Sequence, residues 1–518
     1  MGAGGAGGRA GQGTGCVNGM EPTSESGLVG SGLPDGWAYA TLDDLADVAG
    51  GVTKDSKKQF DEAYPEVPYL RVANVQREHL DLAQVATIRV SPENAARYRL
   101  CRGDVLMTEG GDRDKLGRGW VWEDQIPGCI HQNHVFRARI WDEAMIPVLL
   151  AWYVNSVARR WLEANAKQSV NLASISISTI KQMPVPVPPF AEQRRIFEVL
   201  KGRLARLDAI EANLRAALDA LDRLDSAVLD SVATGALERV STAPPIDHIV
   251  EAVAEVSGGI QKQARRRPQD NPHPFLRVAN VGRGVLDLAD IHEIELFDGE
   301  IDRYRLKEGD LLVVEGNGSA DQIGRAALWH DEIKDCVHQN HLIRVRPGPQ
   351  LRAAYLELVW NSPTVARRLQ RVANSTSGLF TLSTRKLKSL VIPVAPLEEQ
   401  DRLVKAARAH QSRISKARST TRTALAHTAA LRRGILADAF AGRLVPQDPV
   451  EESAGELLKR IRVKREAIEA ERKASRRAAR ARAKAEARLT TPPPPPTRTT
   501  SAVDAIGEQG TLPMEFSA

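Results

Sequence analysis

The chain has 518 residues, with 71 Lys and Arg against 65 Asp and Glu, a 42% hydrophobic share and four cysteines. At about 100–200 residues per domain this length gives two to four domains, and the composition excludes a collagen-like, wholly disordered or membrane-spanning chain. The net charge of +6 suggests nucleic acid, but it is unevenly placed: residues 455–490 hold 13 Lys and Arg against 5 acids, leaving 58 against 60 for the rest.

Residues 1–31 are rich in Gly and Ser and are expected to be disordered, with Met20 an alternative start. No positive n-region precedes an apolar run there, so a cytoplasmic location and no membrane partner are expected. Cys16, Cys101, Cys129 and Cys336 are too sparse for a disulfide framework.

An internal duplication dominates the remainder of the chain. Pro68-Tyr69-Leu70-Arg71-Val72-Ala73-Asn74-Val75 returns 206 residues later as Pro274-Phe275-Leu276-Arg277-Val278-Ala279-Asn280-Val281. Gly103-Asp104 returns as Gly309-Asp310, and Glu109-Gly110 as Glu315-Gly316. After a one-residue shift, His131-Gln132-Asn133-His134 returns as His338-Gln339-Asn340-His341, and Gln193 as Gln400. A period of this length means a duplicated domain rather than a solenoid repeat. The first mixed domain takes residues 32–189 and the second 241–395. In each, runs such as Val105-Leu106-Met107 and Leu311-Leu312-Val313-Val314 read as strands, 144–166 has helical spacing, and a Pro-rich exit closes the domain.

Long helices come next, at 190–240 and 396–445. The first carries the heptad rows Ile196, Arg203, Ile210, Ala217, Leu224 and Leu200, Leu207, Leu214, Leu221, Val228. The second carries Leu403, His410, Ala417, Ala424, Leu431 and Ala407, Ile414, Thr421, Thr428, Ile435. A bulky seam against a smaller one predicts that the two helices pack on each other as a coiled coil and act as a spacer. A basic helical extension at 446–490 and a disordered Pro-containing tail at 491–518 complete the chain. The fold class is therefore α+β, with two tandem mixed domains separated by two long antiparallel helices in a pseudo-twofold internal repeat.

Motifs common to both copies hold the candidate chemistry. Cys129, His131 and His134, repeated at Cys336, His338 and His341, offer zinc-type ligands. However, an extended strand sends His134 to the opposite face, so a turn-and-strand element with a DNA-facing tip at Gln132, Asn133, Gln339 and Asn340 is the preferred reading. No phosphate-loop motif, nucleophile elbow or amino-methyltransferase tetrad is present, so no catalytic residue, metal or cofactor is expected. Gly50-Gly51-Val52-Thr53-Lys54 and Gly258-Gly259-Ile260-Gln261-Lys262 either bring backbone and a lysine to a phosphate or are plain turns. The loops holding Arg113 and Lys115 in one copy, and Asn317, Ser319 and Gln322 in the other, share a frame but differ in side chains. Two half-site readers would differ in this way, as would drifting surface loops. Arg266 is a phosphate contact or part of a solvated loop. Arg71, Asn74, Arg277 and Asn280 are DNA contacts or, the commoner role, hydrogen bonds that fix strand–loop geometry.

The order recognition domain, helix, recognition domain, helix resembles the specificity subunits of type I restriction–modification systems. The residues that carry this likeness are Leu33-Pro34-Asp35-Gly36-Trp37, the Gly-Gly-x-x-Lys turns, the Leu-Arg-Val-Ala-Asn-Val blocks, Ala191-Glu192-Gln193 and Leu397-Glu398-Glu399-Gln400, and the Gly-x-Leu ends at 235–237 and 442–444. The resemblance implies that each mixed domain reads half of a split target in double-stranded DNA. It implies that the helices set the gap and dock two modification (methyltransferase) subunits, and that a restriction (motor–nuclease) subunit joins them. The subunit itself would be non-catalytic. A coiled-coil adaptor with two protein-binding heads is the alternative, and a metal-dependent enzyme a third reading.

Overall fold

A computed structural model describes residues 32–490, apart from 57, 112–114, 169–172, 238–242, 318, 320–321 and 377–378. The expectations for 1–31, 491–518 and Arg113 thus lie outside the described residues. The chain divides into two compact units, Met1–Leu200 with Ile435–Ala518, and Lys201–Gly434.

The first unit is built on a four-stranded antiparallel sheet ordered Ala46–Gly50, Val135–Ile140, Val105–Thr108, Gly119–Val121. A three-stranded sheet sets Glu66–Leu70 parallel to Ile130–His131 and antiparallel to Ala86–Arg89. The repeated Gly-Asp pair explains how Val105–Thr108 begins. Gly103 holds φ +91°, a conformation that side chains resist. The fully buried Asp104 then accepts from the Cys101 amide at 2.7 Å and from Arg139 through Nε and Nη2, both at 2.7 Å. Such forked, charge-assisted bonds fix the strand against its neighbour. The apolar segment 144–166 forms two helices, Pro147–Asn155 and Arg159–Asn165, rather than one. The Pro-rich exit is itself a strand: Pro184–Val187 pairs antiparallel with Ala38–Thr41, where a proline lacking N–H is tolerated because the sheet has only two strands.

The start of the first long helix (Phe190–Thr234) closes this unit. Gln193 is fully buried there; its Oε1 accepts from the Ile146 amide at 3.0 Å, and its Nε2 donates to the Ala144 and Pro188 carbonyls. Glu192 accepts from the Trp37 indole at 3.0 Å and from Gln447 at 3.3 Å. The end of the second long helix (Leu397–Phe440) belongs here too, with the Phe440 ring 5.1 Å from that of Tyr153. Where the sequence sets 446–490 apart, the first turns of its helix, Ala454–Thr490, lie against this unit. Ala454, Leu457 and Ile461 are buried, the Ala454 amide donates to the Gly36 carbonyl, and the Arg465 guanidinium sits 5.7 Å from the Trp141 ring centre.

The second unit repeats the architecture. Its main sheet is Ala254–Gly258, Leu342–Pro347, Leu311–Val314, Ala326–Leu328, and its three-stranded sheet is Val337–His338, Pro272–Leu276, His292–Glu295. Ile246–Ile249 pairs with Val391–Val394. Gln400 repeats the role of Gln193, accepting from the Arg352 amide at 2.7 Å and donating to the Gln350 and Ala395 carbonyls. Val228, Leu229, Val232, Ala233 and Leu237, at the end of the first long helix, share the core with Tyr355, Trp360 and Leu403.

Within this unit the two long helices run antiparallel: Arg418 pairs with Asp222 and Arg432 with Asp208, both at 2.6 Å. One heptad row of each helix is placed as the sequence suggests: Leu207, Val228, Ala407, Ile414 and Thr428 are buried, and Leu214 and Leu221 half-buried. The other row is displaced by one position along much of its length. Ile210, Leu224 and Leu431 are 47%, 50% and 58% exposed, while Leu204 is buried and Leu218, Arg418 and Arg432 turn inward. The seam is therefore partly polar, and inter-helix ion pairs stand where apolar pairs were expected. In the first unit Ile196 and Leu200 are fully buried and Ile435 half-buried. Among the described residues, no helix is long and apolar enough to cross a membrane.

Candidate nucleic-acid interface

In the first unit, backbone hydrogen bonds gather several repeated loops at one end of the main sheet. The Val52 amide donates to the His131 carbonyl at 2.8 Å and the Asn133 amide to the Val52 carbonyl at 3.0 Å. A side chain on Gly51 would meet the His131 carbonyl at 1.9 Å, so this glycine is required by its own neighbouring strand. The turn 132–135 closes through the Val135 amide and the Gln132 carbonyl, and the Glu109 amide donates to the His134 carbonyl. Gly110–Gly111 pairs with Ala173–Ser174, and the Thr108 hydroxyl donates to the Lys115 carbonyl. Lys54, Gln132, Asn133 and Lys115 thus come from three loops to one edge, where Lys54 is exposed and the other three half-exposed.

The second unit assembles the same edge. Ile260 bonds His338, Asn340 bonds Ile260, Glu315 bonds His341 and Leu382 bonds Glu315, all through backbone at 2.8–2.9 Å. Gly316–Asn317 pairs with Leu379–Thr381. Lys262, Ser319 and Gln322 are exposed, and Gln339 and Asn340 half-exposed, around this edge. Amide side chains and lysines here match the donors and acceptors that base edges and phosphates require.

Each edge also holds a pair that the sequence reading missed. His134 Nδ1 meets a Glu109 carboxylate oxygen, and His341 Nδ1 meets Glu315 at 2.8 Å, with both imidazoles more than half exposed. The signal was present in the matched Glu-Gly and His-Gln-Asn-His blocks. The carboxylate fixes each ring through Nδ1, and in the first unit His134 Nε2 lies 3.4 Å from the Asn133 side-chain amide.

Other candidates serve the frame. Asn74 is buried; its Oδ1 accepts from the Arg71 amide, and its Nδ2 donates to the Asp81 and Gln84 carbonyls, all at 2.9 Å. Asn280 repeats this with Arg277, Asp287 and Asp290. These two amides are committed inside the protein, and the structural alternative describes them. Arg277 also pairs with Asp290 at 2.7 Å, whereas Arg71 is exposed and follows Leu70, whose carbonyl accepts from the Gln132 amide. Arg266 binds both carboxylate oxygens of Glu300 at 2.7 Å and lies over the Phe297 ring, so neither a phosphate contact nor a solvated loop describes it. That guanidinium holds the Glu300 carboxyl down at about 2.

The Cys-x-His-x-x-His residues do not converge. Burial pushes the Cys129 and Cys336 thiols up to about 12. His131 and His338 are fully buried, with Nδ1 bonded to the Val135 and Leu342 carbonyls at 2.7 and 3.0 Å, and burial lowers both imidazoles to about 4. His134 and His341 face their glutamates instead. Among the described residues, no group of three His, Cys, Asp or Glu side chains is arranged to hold a metal ion.

Residues 34–220 match the family model described as type I restriction modification DNA specificity domain. The chain is 25% identical over 479 residues to the EcoKI type I restriction enzyme specificity subunit of Escherichia coli K12, an alignment that covers 86% of this chain and 98% of that one. It is 24% identical to the StySPI specificity subunit of Salmonella potsdam, covering 86% and 99%. Among solved structures, a chain described in a study of complex assembly and conformational transition of the type I restriction–modification system aligns with a TM-score of 0.62 and 17% identity. That alignment covers 80% of this chain and all of the other.

Proposed function

Because the chain belongs to the specificity subunits of type I restriction–modification systems, we propose that its two matched edges read the two halves of a split duplex-DNA target. The observation that carries this is the duplicated edge: one backbone frame presents Lys54, Gln132 and Asn133 in one unit and Lys262, Gln339 and Asn340 in the other. Between the copies, the loops beside it exchange Lys115 for Ser319 and Gln322. A common frame with different side chains suits two half-sites of different sequence. Arg71 borders the first edge and joins it in this reading.

In this reading the subunit is non-catalytic and needs no cofactor of its own. The long helices fix the interval between half-sites and dock two modification subunits, with a motor–nuclease subunit joining for restriction. The exposed Ile210, Leu224 and Leu431 supply apolar surface for such docking. The test is methylation mapping of a host genome with and without the gene. One bipartite adenine motif should disappear on deletion, and Gln132→Ala with Asn133→Ala should alter one half of it only. A methylome unchanged by deletion would refute the proposal.

A further inference from the structure

The C-terminal helix is anchored at its start and strongly basic at its end. Its first turns are held by Leu457 and Ile461 in the core, by Lys464 on Asp142, and by Arg465 on the Asp43 carbonyl and over Trp141. The domain thus supplies partners for the cations of this stretch. Residues 472–488 then contain eight Lys and Arg, seven Ala, one Ser and one Glu. Alanine and arginine are strong helix formers, which suits the helix Ala454–Thr490 in which this stretch lies. At 1.5 Å per residue, the net +7 is spread over about 25 Å.

We propose that this distal stretch lies along the phosphates of duplex DNA outside the bases read by the first unit, as a contact independent of sequence. The inference rests on the DNA-reading proposal and extends it. Two observations favour duplex over a protein partner. From Arg472 to Arg488 no side chain is more apolar than alanine, so no seam exists for a helical partner. The remainder of the chain is slightly acidic and needs a phosphate-neutralising element.

The test uses the full subunit assembled with its modification subunits and a duplex carrying the target, with Kd measured from about 50 to 200 mM NaCl. A helix of this length, facing the duplex on one side, neutralises about three phosphates, and each adds about 0.9 to the slope of log affinity against log salt. The intact complex should therefore lose about 40-fold more affinity over that range than a complex truncated after Glu471. A variant with the eight Lys and Arg of 472–488 changed to Gln should behave like the truncation, while the same positions all as Lys should restore the slope. The methylated motif should stay the same in every case. Equal salt slopes in all four proteins would overturn the inference, as would a loss of modification-subunit binding with the DNA slope retained. If the intact complex showed no preference for its target duplex, the DNA-reading proposal itself would fail.

Discussion

The buried histidines make a prediction about acid stability. In the folded chain His131 and His338 donate Nδ1–H to a backbone carbonyl, while their Nε2 atoms are buried without a hydrogen-bond partner. Burial lowers both from the ordinary 6.5 to about 4. Between these values the unfolded chain binds a proton that the folded chain refuses, so stability falls as pH falls through this window. Each histidine should remove about 2 kcal/mol by pH 5 and about 3 kcal/mol by pH 4. Carboxylates held low, such as Glu300, contribute mainly below their unfolded values near 4.5, whereas burial raises the Glu192 carboxyl and acts with the opposite sign, so the comparison of His131→Phe with wild type isolates the histidine. The assay is urea unfolding at pH 7.5, 6 and 5, read by labelling buried Cys129 and Cys336 with a pyridyl disulfide, which reacts with thiols in mild acid. Each cysteine reports its own unit. His131→Phe keeps a ring in place and abolishes the titration. It should lower stability at pH 7.5 by about 1 kcal/mol through the lost carbonyl bond, yet flatten the acid loss at Cys129 while leaving Cys336 unchanged. The same acid loss at Cys129 in His131→Phe and wild type would refute a neutral buried imidazole as its source.

Other outcomes rest on the same geometry. Asn74→Ala or Asn280→Ala leaves one amide and two carbonyls without their partner and should destabilise the affected unit by about 2–4 kcal/mol in urea unfolding. By contrast, Asn133→Ala should stay within about 0.5 kcal/mol in stability and weaken target binding by about 1–3 kcal/mol in a titration. Deleting one heptad from each long helix, within 208–221 and 415–428, removes about 10 Å and should shorten the gap in the methylated motif by about three base pairs with both half-sites retained. An unchanged gap would remove the helices from that role.

The duplication made much of the architecture legible, because two copies of one pattern separate what the frame needs from what varies. Gly103-Asp104 and Gly309-Asp310 stood out as repeats, and the structure explains them as a left-handed turn followed by a buried carboxylate holding an arginine. Repetition did not reveal which constant residues bind and which only fold. Asn74 and Asn133 look alike in sequence, and only three-dimensional placement separates the buried amide from the accessible one. The seam was half legible for a related reason. Periodicity locates apolar rows, but Arg418 and Arg432 can replace apolar knobs when Asp222 and Asp208 lie opposite, and a single strand of letters does not say which residues will be opposite. The burial of Leu457 and Ile461 was hidden by the hundreds of residues that separate their helix from Gly36 and Trp141, which its Ala454 and Arg465 meet.

That separation has a consequence for the order in which the protein is made. The first unit lacks Ile435 onward until the ribosome has synthesised the whole second unit. At about 5–20 residues per second, the 234 residues from Lys201 to Gly434 impose a wait of roughly 12–50 s. During that interval the Tyr153 ring, the Glu192 carboxylate and the Gly36 carbonyl that later receive Phe440, Gln447 and Ala454 stand uncovered. The unit containing the first residues translated is thus the second to be completed. A nascent chain stalled before Ile435 would carry a finished second unit behind an unfinished first one, which is the state most in need of chaperone protection.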